Sequence, residues 1–382
     1  MPSAGQSWRA VFPDFAATAA DMRNRLVGSR RFQRWAAAFP LTRRLARRDG
    51  ERLFDLMAGF VYSQALQACV ELGLLRRLRA GAKHSGALAG EIGLSEARTE
   101  ALCQAAASLG LLERARDGRF RLGRLGAAVI GVPGLEAMIR HHRMFYRDIG
   151  DPVALLRDEA DTELARFWPY VLGGDAEVGA EAAATYSELM AVSQTLVAEE
   201  VLRSVRLSGV TRLMDVGGGT GGFLAAVADA YPEVRLTLFD LPAVTAAAAR
   251  ALAGRGLGGR IELAAGDFRA DRLPEGADAV SLVRVLYDHD DGTVADLLAR
   301  VAAALPPGGL LLVAEPMSGG PRPSRFGDGY FAFYTMAMRT GRVRSPEAAA
   351  RLLGAAGFGN VRQHRGRRPF ITSVVTARKR GS

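Results

Sequence analysis

A glycine-rich loop in the second half of the chain constrains the fold more than any other feature. The loop runs over residues 215–221, follows the strand-like run 211–214, and leads into the apolar stretch 223–231, which Pro232 ends. A short apolar run, a glycine loop and a longer apolar stretch in this order predict a buried strand joined to a helix. The sequence therefore predicts a nucleotide-cofactor site at this turn.

The spacing of the loop glycines indicates which cofactor the site holds. A single residue separates Gly217 from Gly219, and a single residue separates Gly219 from Gly221. A dinucleotide fingerprint has more residues between its second and third glycines, which makes room for a pyrophosphate. Asp215, at the strand end, suits a cationic ligand, and glycines let the backbone approach that ligand closely. This form fits S-adenosylmethionine. Close packing of a glycine-rich turn is the structural alternative.

Two further predicted strands end in acidic residues. The second strand ends in Asp240, whose carboxylate can accept hydrogen bonds from both ribose hydroxyls in a βαβ unit. The third strand, 261–265, precedes Gly266, Asp267 and Phe268, where the Asp can accept from the adenine amine and the Phe can lie on the ring. Capping explains one such Asp, but three acidic strand ends favour a cofactor crevice.

The rest of the second half continues the alternation of strands and helices. Strands are predicted over 277–283 and 310–314, helices over 290–305 and 345–356, and a final antiparallel pair over 361–364 and 370–377. Six or seven strands result. A closing hairpin on a parallel sheet predicts a Rossmann-like α/β domain of the class I methyltransferase type.

The first half is predicted to be helical with short loops. Helices over 87–95 and 99–112, followed by a two-stranded wing over 116–122, predict a winged-helix unit. This unit makes a DNA-binding regulator the alternative function. Its second helix is mostly Ala, Leu and Ser, and Gln104 is its only base-reading side chain. We therefore expect the unit to pack against protein, with no nucleic-acid partner.

An arginine-rich arm precedes that unit. The chain has a net charge of +10, and between Arg23 and Arg52 its arginines are interleaved with Phe32, Trp35 and Phe39. An interfacial membrane contact uses this mixture of basic and aromatic side chains. A solvated helix face or a dimer arm explains it as well.

Cysteine usage and hydropathy bear on metal sites and location. Cys69 and Cys103 lack the spacing of metal ligands, so we predict no metal site and no disulfide framework. We expect no apolar stretch of membrane-spanning length, and no signal peptide in residues 1–9. These features predict a cytoplasmic protein, which contacts the inner or intracytoplasmic membrane peripherally if the arm binds lipid.

Five ordered motifs resemble those of small-molecule O-methyltransferases of the caffeate and acetylserotonin type. They lie at 214–222, 239–244, 266–268, 284–291 and 312–316, and span nearly the whole second half. The resemblance implies S-adenosylmethionine as the cofactor and a homodimer formed by the winged-helix domain. The residues implied to bind the cofactor are Asp215, Gly217, Gly219, Gly221, Asp240, Leu241, Gly266, Asp267, Phe268 and Arg284.

Two N-terminal segments resemble a narrower group. The segments 32–42 and 53–64 are similar to those of bacterial carotenoid methyltransferases that act on hydroxyneurosporene and demethylspheroidene. The resemblance implies methylation of a hydrophobic small molecule, a 1-hydroxycarotenoid, in carotenoid biosynthesis of a photosynthetic bacterium. Another polycyclic or polyketide hydroxyl, and a ring carbon of the bacteriochlorophyll type, stay open as acceptors.

The catalytic residues depart from the family pattern. The family base is a His that precedes an Asp-Trp pair, and here that position is Tyr287. Glu315 matches the Glu that orients the His, but Val343 replaces a second acid. Because a phenol with a pKa of about 10 is a poor base, we expect Tyr287 to hold the acceptor oxygen. His142 or Glu315 then accepts the proton.

Two helical stretches between the halves are expected to line the acceptor site. One places His142 and Tyr146 four residues apart on one face, and the other supplies Met190 and Ser193. An ordinary core Met and a helix Ser explain Met190 and Ser193 singly. The domains predicted are a basic aromatic arm (1–52), a winged-helix dimerisation and substrate-lining helical domain (53–185), and an S-adenosylmethionine-binding methyltransferase domain (186–382).

Overall fold

The computed structural model describes residues 13–167, 194–364 and 366–381. The chain divides into two compact units, Met1–Gly126 and Ala127–Ser382. Met190 and Ser193, two of the predicted substrate-lining residues, lie outside the described residues.

The first unit consists of helices and one small antiparallel sheet. Its elements are α1 (Pro13–Val27), α2 (Arg30–Ala38), α3 (Arg43–Glu71), α4 (Leu74–Arg77), α5 (Ser85–Ile92), α6 (Glu96–Ser108), β1 (Leu112–Arg114) and β2 (Phe120–Leu122), and α7 (Arg124–Gly131) runs across the boundary. Gly93 ends α5 with a left-handed φ of 71°, and the Ser95 side chain caps α6 by accepting from Arg98 N. α5 and α6, separated by this short turn, are the predicted helix–turn–helix.

The predicted wing is present. β1 and β2 pair antiparallel with Leu112 opposite Leu122, and Gly118 turns between them with a φ of 82°. Phe120 and Leu112 are fully buried, which fixes the hairpin on the core of this unit.

One helix of the first unit is long and apolar. Among the described residues, α3 is long and apolar enough to cross a membrane by length and composition alone, and 22% of its apolar window is buried. One such helix is weak evidence for a span and does not overturn the expectation that the chain has none. The exposed apolar side chains on this helix include Phe54, Met57 and Phe60.

The second unit is a doubly wound α/β domain. It begins with α8 (Leu135–Asp148), α9 (Pro152–Leu156), α10 (Glu163–Phe167) and α11, described over residues 194–204. The sheet and its helices follow as β3 (Arg212–Val216), α12 (Gly222–Ala230), β4 (Arg235–Asp240), α13 (Pro242–Ala253), β5 (Ile261–Ala265), β6 (Ala279–Val283), α14 (Asp291–Ala304), β7 (Leu310–Glu315), α15 (Ala332–Met338), α16 (Pro346–Ala355), β8 (Phe358–His364) and β9 (Ser373–Lys379).

The seven strands lie in the order β5-β4-β3-β6-β7-β9-β8, with β9 antiparallel to both of its neighbours. The predicted closing hairpin on a parallel sheet is therefore confirmed. β6 starts at Ala279 rather than at the predicted 277, because the Asp278 carboxylate accepts from the backbone N–H groups of Thr211 and Arg212 at the strand entrance.

The order of the strands positions the site. The chain passes from β3 outward to β4 and β5, and then returns to β6 on the other side of β3. Such a reversal opens a crevice at the carboxyl ends of the two central strands. β6 and β7 are buried along their whole length, so polar groups become accessible only where these strands end.

Candidate active site

The glycine loop follows β3 in the crevice. Gly217 has a φ of 69°, a conformation that favours glycine, and a Cβ at this position would stand 2.9 Å from Val285 Cγ2. A Cβ at Gly218 would stand 2.8 Å from Asp215 Oδ2. The loop is therefore built around glycine, and its backbone approaches both the adjoining strand and the Asp215 carboxyl.

Asp215 is a buried carboxyl with one uncommitted oxygen. Its exposure is 1%, and Oδ1 accepts from Ser281 Oγ at 2.6 Å. Oδ2 has no hydrogen-bond partner among the described residues. Burial, with a contribution from the charge of Asp240, raises the pKa of Asp215 to about 7. A buried acid with an unmet oxygen suits a ligand that brings a positive charge.

Asp240 joins the end of β4 to the glycine loop. Its Oδ2 accepts from Gly219 N at 2.8 Å, and its Oδ1 accepts from Leu241 N at 2.7 Å. Burial raises the pKa of Asp240, and these two backbone donors oppose that rise. Each oxygen keeps a further lone pair, so the carboxylate can still accept from a pair of hydroxyls.

The third acidic strand end has a different environment. Gly266 N donates to Asp240 O at 3.0 Å, which brings the loop after β5 beside the loop after β4. The Asp267 carboxylate accepts from Arg269 Nε at 3.0 Å and from Nη2 at 2.9 Å. The predicted contact with an adenine amine therefore has to share these oxygens with the guanidinium. Phe268 packs edge-on against His289 at 5.3 Å between ring centroids.

Sequence reasoning missed Gln194, whose amide lies against the glycine loop. A Cβ at Gly222 would stand 3.0 Å from Gln194 Oε1, and a Cβ at Gly219 would stand 3.8 Å from Nε2. Oε1 is buried with no partner among the described residues. The available signal was its place at the end of a segment already predicted to line the site.

The turn after β6 carries Tyr287 and Asp288. Arg284, which leads into it, has a left-handed φ of 58°, and residues Leu286–Asp288 form a single 3₁₀ turn. Backbone strain of this kind concentrates at functional sites. Glu315, at the end of β7, accepts from Tyr287 N at 3.1 Å through Oε2.

Two residues that the sequence analysis did not single out hold this turn in place. Arg344 is buried and donates from Nη1 to Leu286 O at 2.7 Å and from Nη2 to His289 O at 2.8 Å. At Gly341 a Cβ would overlap Tyr287 O and the backbone of Asp288. The turn therefore has little freedom to move, and it presents Tyr287 in a fixed position.

Two buried carboxyls lie at this turn. Burial raises the pKa of Glu315 to about 7, opposed mainly by Arg344. Burial and the neighbouring Glu315 raise the pKa of Asp288 well above its ordinary value, while Arg284 and a hydrogen bond with the Tyr287 side chain oppose this rise. The carboxyls keep their protons to a higher pH than free acids do.

His142 and Tyr146 share one face of α8, with 6.5 Å between their ring centroids. His142 also meets Tyr330, from a π-helical turn over Arg325–Phe331 that sequence reasoning did not predict. Phe331, the next residue, packs edge-on against Tyr287 at 6.3 Å. The structure thus brings His142, Tyr146, Tyr287 and Glu315 to the same end of the second unit.

The fold and the crevice define the class of protein. A doubly wound sheet closed by an antiparallel hairpin, with a glycine loop and two carboxylates at the switch point, is the class I S-adenosylmethionine-dependent methyltransferase fold. Human N-acetylserotonin methyltransferase, solved in complex with SAM, is similar over 87% of this chain and 98% of its own, with a TM-score of 0.72 and 27% identity. The mitomycin 7-O-methyltransferase structure is similar with a TM-score of 0.73 and 27% identity, over 88% of this chain and 99% of its own.

Sequence comparison identifies the family. Residues 146–359 match the family model described as an O-methyltransferase domain, and residues 54–130 match an O-methyltransferase dimerisation domain. The chain belongs to the O-methyltransferase family and is an S-adenosylmethionine-dependent enzyme with a dimerisation domain.

Two curated relatives are similar over nearly their whole length. Demethylspheroidene O-methyltransferase of Cereibacter sphaeroides is 56% identical, over 92% of this chain and 93% of the relative. The enzyme of that name from Rhodobacter capsulatus is 51% identical, over 93% of this chain and 88% of the relative. The resemblance to this family is confirmed, and the alternative of a DNA-binding regulator is not favoured.

Proposed function

We propose that this enzyme transfers the methyl group of S-adenosylmethionine to the hydroxyl of a 1-hydroxycarotenoid in carotenoid biosynthesis. The observation that carries the proposal is 56% identity to a demethylspheroidene O-methyltransferase across 92% of this chain. The aromatic side chains around His142 suit a long apolar acceptor, since Phe145 and Tyr330 pack edge-on with ring centroids 5.9 Å apart and Tyr146 lies beside His142.

Buried oxygen atoms without hydrogen-bond partners indicate that the crevice fits the cofactor. Asp215 Oδ2 and Gln194 Oε1 are buried acceptors with no partner among the described residues, and both adjoin the glycine loop. We assign Asp215 and Gln194 to the cationic amino-acid end, Asp240 to the ribose, and the loops at Gly266–Phe268 and Leu241 to the adenine. When bound, the cofactor supplies an electrophilic methyl group on a sulfonium.

The protein contributes mainly alignment and proton transfer. Well-oriented reactants reach effective molarities of roughly 10⁵ to 10⁸ M. An aliphatic hydroxyl does not ionise before transfer, so its proton leaves late and needs a nearby acceptor. The Tyr287 hydroxyl donates to the Asp288 carboxylate, which opposes the rise in the pKa of Asp288. We assign Tyr287 Oη to hold the acceptor oxygen by a hydrogen bond.

The acceptor is tested by incubating the enzyme with methyl-labelled cofactor and a pigment extract, followed by identification of the labelled product. We expect label on the oxygen of a 1-hydroxycarotenoid. Label on a ring carbon of a bacteriochlorophyll precursor, or on a polyketide hydroxyl, would contradict the proposed substrate and leave the methyltransferase activity intact.

Cofactor affinity should rise with pH because of Asp215. A cationic ligand favours the ionised carboxylate, and the pKa of Asp215 is raised to about 7, so below that pH a proton must leave on binding. The affinity should therefore fall about tenfold per pH unit at lower pH. Calorimetry in buffers of different ionisation enthalpy measures both the affinity and the proton release.

Ser281→Ala is the matched control for this prediction. Ser281 Oγ donates to the ionised form of Asp215, so its removal should move the pH midpoint upward. An affinity that is independent of pH between 6 and 8 in both proteins would remove Asp215 from the cationic end of the site.

The chain is proposed to divide by function into an arm (1–52), a dimerisation and substrate-lining domain (53–185), and a cofactor-binding domain (186–382). Phe54, Met57 and Phe60 expose a row of large apolar side chains on α3. This row lies within the segment that matches the dimerisation domain. A buried homodimer contact accounts for such an apolar surface.

We propose that the arm contacts an anionic membrane surface from the cytoplasmic side. On α2 and the residue after it, Trp35 stacks on Phe39 with ring centroids 4.9 Å apart, and Phe32 lies tilted against Trp35 at 5.6 Å. Trp35 is 50% exposed, and the neighbouring arginines are exposed as well. Exposed aromatic and basic side chains side by side suit the boundary between lipid tails and headgroups.

Binding to anionic vesicles should exceed binding to neutral ones and weaken as salt rises. Trp35→Ala with Phe39→Ala should reduce this binding, measured by vesicle sedimentation. Phe370→Ala is the matched control, because Phe370 is an exposed aromatic residue outside the arm. Equal partitioning to both vesicle types, or to neither, would leave the dimer-arm interpretation.

A further inference from the structure

Two tyrosine–histidine pairs lie side by side in the second unit. His142 Nε2 is 2.7 Å from Tyr330 Oη, and His141 Nε2 is 2.7 Å from Tyr334 Oη. The histidines are consecutive on α8, and the tyrosines are four residues apart on the π-helical turn and α15. The first pair differs from the second in the exposure of its tyrosine, whereas Phe331 contacts both tyrosines.

The tautomer of His142 follows from its partners. Nδ1 is 2.6 Å from Met138 O, and because a carbonyl oxygen only accepts, Nδ1 carries the hydrogen. Burial lowers the pKa of His142, so the ring is neutral near pH 7 and Nε2 is a lone-pair acceptor. Tyr330 Oη–H therefore donates to Nε2. The basic nitrogen of His142 is therefore covered by this phenol.

Tyr330 lies on a π-helical turn. The N–H of Ala332 donates to Gly327 O, a five-residue spacing that widens the helix at this turn. Such π-helical turns are frequent at functional sites. Phe331 packs against Tyr330 at 4.9 Å and against Tyr287 at 6.3 Å, so it connects the two phenols. Tyr330 is partly exposed, whereas Tyr334 is only 6% exposed.

The Tyr330 phenol is protonated at rest and has a cation near it. Burial raises the pKa of Tyr330 and Tyr146 adds to that rise, while the guanidinium of Arg284, just after β6, opposes it. Arg284 is the residue held at a left-handed φ at the crevice. A cation beside the phenol stabilises the negative charge that develops on its oxygen as the proton leaves.

We propose that Tyr330 is a catalytic residue that accepts the proton of the acceptor hydroxyl while passing its own proton to His142. This inference rests on the proposed function. The acceptor O–H bond breaks as its oxygen bonds to the methyl carbon, and the electron pair of the methyl–sulfur bond stays on sulfur. The acceptor proton goes to Tyr330 Oη, and the Tyr330 proton goes to His142 Nε2. His142 ends as an imidazolium with Nδ1–H still on Met138 O.

The pair of variants Tyr330→Phe and Tyr334→Phe tests the relay. Each removes one phenol hydroxyl from a tyrosine–histidine pair, and only the first should impair chemistry. We expect kcat to fall roughly 100- to 1000-fold in Tyr330→Phe, the range of a lost acid–base group. Tyr334→Phe should stay within about threefold of the wild type, and cofactor affinity measured by calorimetry should be unchanged in both. Equal losses in the two variants, or wild-type turnover in Tyr330→Phe, would overturn the relay.

The pH profile separates a relay from a structural role. The groups that face His142 are His141 and Tyr146 on α8, Tyr330 on the π-helical turn, and Arg284 through Tyr330. Wild-type kcat should fall at low pH, where His142 takes up a proton and can no longer accept one. His142→Gln keeps a partner for Tyr330 but cannot take a proton, so it should lose both the rate and this acidic limb.

A readout that needs no acceptor keeps the inference testable if the carotenoid is the wrong substrate. The Tyr330 hydrogen bond stabilises neutral His142, so the pKa of His142 should rise in Tyr330→Phe and stay constant in Tyr334→Phe. Titration of ¹⁵N-labelled histidine by nuclear magnetic resonance measures this. An unmoved His142 would overturn the inference, whereas absence of methyl transfer to 1-hydroxycarotenoids by the wild type would contradict only the proposed substrate.

Discussion

Replacing Tyr287 with Phe is expected to lower kcat by roughly 10- to 1000-fold, the range between a lost orienting hydrogen bond and a lost acid–base group. Tyr287 is buried, its N–H donates to Glu315, and its turn is held by Arg344 and Gly341. The phenol is therefore fixed at the end of β6, where we propose that the acceptor oxygen binds. Steady-state kinetics with the carotenoid acceptor measures the loss.

Cofactor affinity should stay nearly constant in this variant, because the role proposed for Tyr287 is to hold the acceptor and not the cofactor. Tyr231→Phe is the matched control, since the Tyr231 hydroxyl accepts from Leu207 N at 3.3 Å in a part of the unit without a site residue. Wild-type turnover in Tyr287→Phe would end its proposed role and leave the acceptor oxygen to be positioned by other groups.

Asp240→Ala is expected to weaken cofactor binding by about 1.5–3 kcal/mol, the value of hydrogen bonds to a charged acceptor. This corresponds to a loss of roughly 10- to 150-fold in affinity. The carboxylate also accepts from Gly219 N and Leu241 N, so the variant loosens the glycine loop in addition to losing the ribose acceptor. Calorimetry with S-adenosylmethionine measures the affinity.

Two further variants serve as controls for this prediction. Asp240→Asn keeps one acceptor oxygen and should lose less affinity than Ala. Asp278→Ala removes a carboxylate that also accepts backbone N–H groups, but at the entrance of β3, so it should lower stability and leave affinity unchanged. Unchanged affinity in folded Asp240→Ala would exclude Asp240 from the cofactor site.

The sheet was predictable because its signals are local. Each parallel strand is a short apolar run between turns, and β5 begins and ends where the pattern predicts, at Ile261 and Ala265. The acidic strand ends at Asp215 and Asp240 could also be placed, since the switch point of a doubly wound sheet brings such ends together. The prediction that both carboxyls lie in the same crevice therefore followed from the order of the strands.

The acceptor side was less predictable because its contacts join residues far apart in sequence. His142 and Tyr330 are separated by 188 positions, and the tyrosine depends on a π-helical turn that no residue pattern signalled. Arg344 is buried by its bonds to backbone carbonyls, whereas a lone Arg in a sequence predicts an exposed side chain. Asp267 was assigned from its position alone, without its partner Arg269.

The residues that hold the Tyr287 turn in place limit which positions of such an enzyme can be mutated to change its acceptor. Gly341 admits no side chain without displacing the turn, and Arg344 satisfies two of its carbonyls from a buried position. A mutant library aimed at a new acceptor should therefore keep both residues invariant and vary side chains that we propose to line the acceptor site, such as Tyr146. Loss of fold and change of selectivity would then be separable among the variants recovered.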